Sequence, residues 1–262
     1  MKRPSFAITA VLAILLLAAC ASQQPTSRQR QVSSLLAFLY PGSEEHPKAS
    51  DRVAEIPVPL RLGIVFVPDQ AGSGAMDPQA RLPEAERLAL ASKVRDAFKD
   101  HPFLSDIQTV PSSYLEPGGG FANLRRIGAM LNLDVVALIS YDQVQNSGAN
   151  GWSFLYWTGI GAYAVDGDQY DVFTAVDTAV FDIRSERLLL RAGGTSRNRG
   201  SASFVSFSKE AREARSQGFD SAVAAMIAKL QVELEAFRAR AEKDPSIKLV
   251  ISPNYRPAPA AK

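Results

Sequence analysis

Four aspartates, Asp134, Asp142, Asp177 and Asp182, lie in or beside stretches that alternate like β-strands. Two carboxylates set across a glycosidic bond can hydrolyse it, one as acid and the other as base or nucleophile. Asp177 shares a strand face with Phe173, Ala175, Ala179 and Phe181, so burial would raise its pKa. Arg191, on the strand that follows, is a plausible mate. One reading is therefore an envelope hydrolase that uses Asp177 or Asp182. The other is a set of buried aspartates satisfied by neighbouring Thr, Tyr or Arg, with no chemistry of their own.

The remaining reactive groups are sparse. His46 and His101 are the only histidines; His46 stands beside Pro47 in a polar stretch, and His101 follows a predicted helix in Lys99-Asp100-His101-Pro102. A cation near a helix C-terminus is favourable there. Neither has a ligating partner at i+3 or i+4, so no metal is expected. The serines lack a G-x-S-x-G elbow, and a Ser-His-Asp triad would have to use His101. Gly118-Gly119-Gly120 precedes a predicted helix and could turn backbone amides toward a phosphate. It lacks both G-x-G-x-x-G spacing and a Lys-Ser/Thr pair, which leaves a plain turn and helix start, and no cofactor is expected. The aromatic cluster from Trp152 to Trp157 suits a sugar- or lipid-facing platform and a packed hairpin equally well.

The single cysteine is better placed. Cys20 ends Leu17-Ala18-Ala19-Cys20, which closes an apolar run of 14 residues from Phe6 to Ala19 behind Lys2 and Arg3. Basic, then apolar, then small is the order of a secretory signal, and the run is short of the roughly 20 residues that cross a bilayer. The L-A-A-C ending looks like a bacterial lipobox, which implies cleavage before Cys20, a diacylglycerol on its sulfur and an acylated new amino terminus. Several acyl chains anchor stably where one does not. Ala21 stands where an Asp would favour retention in the inner membrane, so the outer membrane is expected.

Residues 1–19 then read as signal peptide, and 243 residues remain. The full chain carries +2; removing Lys2 and Arg3 brings the sum to zero. No excess basic charge argues for nucleic acid, and using the only thiol for lipid leaves none for a disulfide.

These groups need a scaffold. Residues 20–57 read as the lipidated cysteine, a polar tether over 21–33, a short docking helix over 34–40 and a loop over 43–57. Residues 58–251 read as one mixed α/β domain. Strands are expected over 60–67, 103–110 and 134–144, with helices over 83–98 and 121–133 between them. That β-α-β-α-β start suits parallel pairing. A meander follows, with strands over 170–183 and 188–192 and a loop or ragged edge strand over 193–206. A helix is expected over 208–243, in one piece or broken at Gly218, then a short strand over 247–251 and a disordered tail over 252–262. The fold class is α/β (α+β): a single mixed sheet of five to six strands, with helices packed on it.

These stretches resemble the bacterial family called rhombotarget lipoproteins. The resemblance rests on the L-A-A-C start, Leu39-Tyr40-Pro41, Ser140-Tyr141-Asp142-Gln143, Tyr156-Trp157-Thr158 with Gly161-Ala162-Tyr163, and Val176-Asp177 leading to Phe181-Asp182-Ile183. It spans about residues 30–240 and implies an envelope lipoprotein of unestablished molecular function, with Cys20 as its only transferable functional residue. The tail lacks the Gly-Gly, apolar span and basic end of sorting-protease substrates. The first expectation is therefore a non-enzymatic lipoprotein, held to the membrane through Cys20, whose periplasmic domain binds another envelope protein. The alternative is the hydrolase using Asp177 or Asp182.

Overall fold

A computed structural model describes residues 27–42, 52–69, 81–149, 168–203, 205–253 and 255. Cys20, His46 and the aromatic segment from Trp152 to Tyr163 lie outside these residues. Among the described residues the fold is mixed α+β, one six-stranded sheet with four helices and no closed barrel. Strand β1 (Ser27–Val32) and the one-turn helix α1 (Leu35–Leu39) come first, then β2 (Ala54–Val58) and β3 (Leu60–Phe66). Helix α2 (Glu84–Phe98), β4 (Leu104–Thr109), α3 (Gly120–Leu131) and β5 (Val135–Ala149) complete the βαβαβ start. Strands β6 (Asp168–Asp182) and β7 (Leu188–Ala202), helix α4 (Phe207–Ala241) and β8 (Ile247–Ile251) follow.

The sheet runs β4-β3-β5-β6-β7. β3 pairs in parallel on both edges, so Leu62 stands opposite Ile107 of β4 and Val135 of β5. The chain steps one way from β3 to β4, then back across β3 to β5. Right-handed crossovers in opposite directions must lie on opposite faces. Accordingly α2 covers one face and α3 the other. Ile64, Phe66, Val135, Ala137 and Ile139 pack with Leu90, Val94 and Phe98 of α2 and with Phe219, Val223 and Met226 of α4. Their neighbours Val65, Val67, Val136 and Leu138 pack with Leu124 and Ile127 of α3 and with Phe38 and Leu39 of α1. The period-2 alternation of a strand sorts these side chains between the layers.

From β5 the sheet turns antiparallel. The Ile183 N–H donates to the Asp134 carbonyl, and nine residues on along β5 Gln143 donates to Thr174, nine residues back along the partner strand. A five-residue turn then joins β6 to β7. Among the described residues, no helix is long and apolar enough to cross a membrane.

The chain forms two compact units. The smaller, among its described residues, holds 27–28, 146–149, 168–171, 199–203 and 205–211. There Tyr170 meets Phe207 edge-on at 6.2 Å, and Arg199 reaches Asp171 at 3.2 Å. The larger unit holds both apolar clusters and the side-chain clusters and cavities described below.

Two expectations change, and two alternatives that the sequence leaves open are decided. Part of the expected tether, Ser27–Val32, is a strand that pairs with β5. It takes over the β5 edge where β3 ends, with the Val67 N–H on the Ile139 carbonyl and the Ser33 N–H on that of Tyr141. The sheet therefore recruits residues well ahead of 58, through backbone groups that a polar sequence does not advertise. The expected loop over 43–57 ends in β2, which pairs in parallel with β8 as a separate two-stranded ribbon. Over 193–206, read as a loop or a ragged edge strand, the strand is found: the edge strand β7 continues to Ala202. Helix α4 is unbroken through Gly218.

Glycines at the α4 interface serve close approach rather than a break. A Cβ on Gly218 would stand 2.6 Å from Thr174 Oγ1, and one on Gly194 would stand 2.0 Å from the Ala222 carbonyl oxygen. Gln143 Nε2 donates to the Arg215 carbonyl at 3.0 Å, and Ser196 Oγ to that of Gly218 at 2.7 Å. Adjacent glycines therefore predict opposite sensitivities. Gly194→Ala should lower stability by about 1–3 kcal/mol through overpacking against helix backbone. Gly193→Ala, whose Cβ would meet its nearest atoms at 3.3 Å, should cost much less. Urea unfolding of both variants checks this, and equal losses would refute the close-packing account.

Candidate functional site

In open α/β sheets, ligands sit beyond the carboxyl ends of the strands where strand order reverses. Here that place lies between β3 and β5, and the chain's own side chains fill it. Asp69, just past β3, receives Arg87 Nη2 on both carboxylate oxygens at 2.8 Å and the Tyr141 hydroxyl at 2.5 Å. Arg87 Nε donates to the Leu82 carbonyl at 3.1 Å and Nη1 to Ser112 Oγ at 3.4 Å. Glu84 accepts from the Ser112 N–H at 2.7 Å and from its hydroxyl. Burial pushes the Tyr141 phenol far above its ordinary pKa, with the Asp69 charge adding to the shift and Arg87 opposing it. The phenol therefore stays a neutral donor. Each member has a partner inside the cluster, so it clamps α2 to the end of β3 and the middle of β5. Sequence reasoning missed Asp69 and Arg87. The available signal was Arg87 itself, which falls in line with the apolar stripe of α2 through Leu90, Ala91, Val94 and Phe98.

The glycine turn ahead of α3 also meets the protein's own chain. Gly118 and Gly120 take positive φ angles of 70° and 55°. A Cβ on Gly120 would stand 2.9 Å from the Leu39 carbonyl oxygen, and one on Gly118 would stand 3.0 Å from Pro41. The end of α1 thus occupies the place where a phosphate would approach.

The predicted aspartates do not converge. Asp134 accepts from the Arg61 N–H at 2.9 Å and from its guanidinium at 2.6 and 2.9 Å, tying β5 to β3. Asp142 is held by Arg30 at 2.5 and 2.9 Å. Asp177 receives Arg191 Nε on both oxygens at 2.9 Å, the pairing expected from sequence. Its side chain is 28% exposed, so the expected burial is incomplete: α3 covers Ala179 and Phe181 of this face but leaves Asp177 open. Asp182 is 3% exposed and accepts from the Ser185 N–H at 2.7 Å, which shapes the β6–β7 turn. Five residues apart on one strand, Asp177 and Asp182 point to opposite faces. They therefore do not form the acid–base pair that the hydrolase reading requires.

His101 is not the exposed helix-end cation expected from its position. Burial pushes its pKa below the ordinary value, against the opposing pull of Glu235. Its Nδ1 accepts from the Phe103 N–H at 3.4 Å, which a neutral ring can do. Among the described residues, no group of three or more His, Cys, Asp or Glu side chains forms a metal site.

What does stay open is one sheet face. Over β5, β6 and β7, on the side of α1 and α3, lies a trough of about 1170 Å³. Ser140, Ala175, Gly193 and Thr195 leave its floor low, and the Asp177–Arg191 pair crosses it. Leu36 of α1 and Leu188 of β7 stand at its walls, 63% and 47% exposed. Small side chains, neutralised charge pairs and apolar walls suit contact with another macromolecule. They supply no paired nucleophile and base.

The class that fold and site define is a three-layered α+β domain with a bare sheet face. No family model matches the chain, and no curated protein matches it. Two solved structures of the PelC dodecamer from Paraburkholderia phytofirmans align with it at 12% identity and a TM-score of 0.30. They cover 82% and 80% of this chain and 99% and 97% of their own. At that TM-score the likeness defines no function.

Two tests follow from these contacts. Arg87→Leu strips the partner from a carboxylate that is only 22% exposed and should destabilise by about 3 kcal/mol; Tyr141→Phe should cost about 1 kcal/mol. Denaturant unfolding that ranks the two the other way would overturn the clamp. For His101, the unfolded ring binds a proton near the ordinary pKa of 6.5, whereas the folded ring binds it only at lower pH. Stability from this group is therefore complete above pH 6.5 and is lost as pH falls through that value toward the folded pKa. Melting at pH 7.5 and 5.5 should show a smaller drop for His101→Gln than for the natural chain.

Proposed function

We propose that the chain is a lipid-anchored, non-enzymatic binding module of the bacterial envelope. In this reading Cys20 carries the acyl chains at the outer membrane, and the α+β domain in the periplasm receives another envelope protein on its bare sheet face. The anchor is supported by the basic, apolar and small order of residues 2–20 and by the absence of a second thiol in the sequence.

One observation carries the binding face. The stretches behind the resemblance to rhombotarget lipoproteins are far apart in the chain, yet members of them line this one trough. Leu39 and Tyr40, Ser140 and Asp142, Asp177, and Phe181 line it on this side of the sheet, while Tyr141 and Val176 turn to the other. The partner that fits presents an apolar ridge between Leu36 and Leu188, flanked by polar groups that exchange with the Asp177–Arg191 pair. Nucleic acid is not favoured, since the side chains of the mature chain sum to zero charge.

The anchor and the face are tested separately. Cys20→Ser should move the protein from the membrane to the soluble fraction, and mass spectrometry of the natural chain should find a thioether-linked diacylglycerol; a bare thiol would sink the anchor. A photo-crosslinker placed at Thr195 in the native host should give one discrete adduct. Leu36→Asp should abolish that adduct without changing the melting temperature. A diffuse smear, or an adduct indifferent to Leu36→Asp, would reject the face.

A further inference from the structure

Away from the trough, the core between the sheet, α2 and α4 holds a partly enclosed cavity of about 80 Å³. Its wall exposes no polar atom. Two polar side chains border it, and both spend their polar atoms elsewhere. The Thr178 hydroxyl donates to Met226 Sδ at 2.6 Å, and His101 turns Nδ1 to the Phe103 N–H and Nε2 toward Glu235. Close-packed interiors rarely keep such space. About half the volume of an engineered apolar cavity that admits benzene, this one is dry by the same chemistry.

Eight of the residues around it are leucines, contributed by β3, β4, β7, α4 and β8. A leucine wall is smooth, and its side chains can rotate to lengthen the space. Eight members are half-buried. Leu60, Leu62, Val180 and Leu249 are spread over separate strands, whereas His101, Phe103, Leu104 and Leu234 gather at the turn after α2 and on α4, beside charged side chains, and we take that side as the mouth. Charge stands just outside. The Arg238 guanidinium lies 4.7 Å from the centroid of the Phe103 ring, and it pairs with Glu235 at 3.1 Å. Glu235 also stands 3.7 Å from His101 Nε2. A carboxylate of the chain itself therefore already sits between Arg238 and His101, in the place an incoming anionic head would take.

From this we infer that the cavity admits the end of a single alkyl chain whose anionic head rests at Arg238. The wall can recognise only methylene and methyl groups, and the mouth supplies the one exposed cation beside an aromatic ring. A free fatty acid and the acyl chain of an anionic membrane lipid share this chemistry.

The test uses the full chain carrying Cys20→Ser, so that no covalent acyl group competes. Decanoate should raise the melting temperature and shift the methyl NMR signals of Leu230 and Leu249. Ala137→Leu, which fills the cavity, should weaken decanoate by roughly tenfold or more, in line with a loss of one good apolar contact. Should that variant fail to fold, Leu249→Phe at the half-buried rim gives the same reading. Arg238→Gln should weaken decanoate about two- to fivefold, as an exposed pair allows, and leave decanol unchanged. Binding of decanoate in solution assigns the free acid; shifts seen only with phosphatidylglycerol vesicles assign the membrane lipid. No methyl shift with either probe, or equal binding by the filled variants, would overturn the site.

Discussion

Parallel pairing of β3 on both of its edges is the constraint from which the rest of the structure follows. A strand with parallel neighbours on each side needs a crossover in each direction, and the right-handed rule sends those crossovers to opposite faces. That places α2 on one side of the sheet and α3 on the other, so both faces of Ile64–Val67 are sealed. It also brings the carboxyl end of β3 and the middle of β5, at Tyr141, together beside the N-terminal end of α2. The Arg87–Asp69–Tyr141 cluster forms there because charged and phenolic groups forced together in a buried corner must satisfy one another.

The same constraint explains why the second half of the sheet is asymmetric. Helix α4 spans 35 residues and lies against β6 and β7 on one face. Among the described residues, the opposite face of these strands has no long crossover helix of its own, since β6 and β7 are joined by a turn. Of the described elements only α1 and the edge of α3 reach it, covering Ala179, Phe181 and Ile183 and stopping short of Asp177. The trough is thus a consequence of topology. Its aspartates answer to local ion pairing, which is why they are held by Arg30 and Arg191 and do not converge on a common point.

Two interfaces of different chemistry hold α4. Its latter half packs Val223, Met226, Leu230 and Phe237 into the apolar cluster, where burial supplies the stabilisation. Around Gly218 the helix instead accepts hydrogen bonds from Gln143 and Ser196 and packs against Thr174, at a separation only a glycine permits. The first contact is tolerant of position; the second fixes the helix along its axis.

The periodicity of residues 60–144, 170–192 and 208–243 was enough to read the βαβαβ start, the meander and the long last helix, because amphipathic strands and helices write their burial into a local pattern. The proposed anchor at Cys20 likewise rests on a short span, the small residues before it. Pairing partners are another matter. Ser27–Val32 and residues 193–202 join the sheet through backbone groups that every sequence possesses, and β8 pairs with β2 across almost 200 residues, so no local pattern announces them. The partners of Asp134, Asp142 and His101, the Arg87–Asp69 clamp and the open face over Asp177 were settled only when distant segments met, since charge pairing and exposure depend on what lies across space and not along the chain.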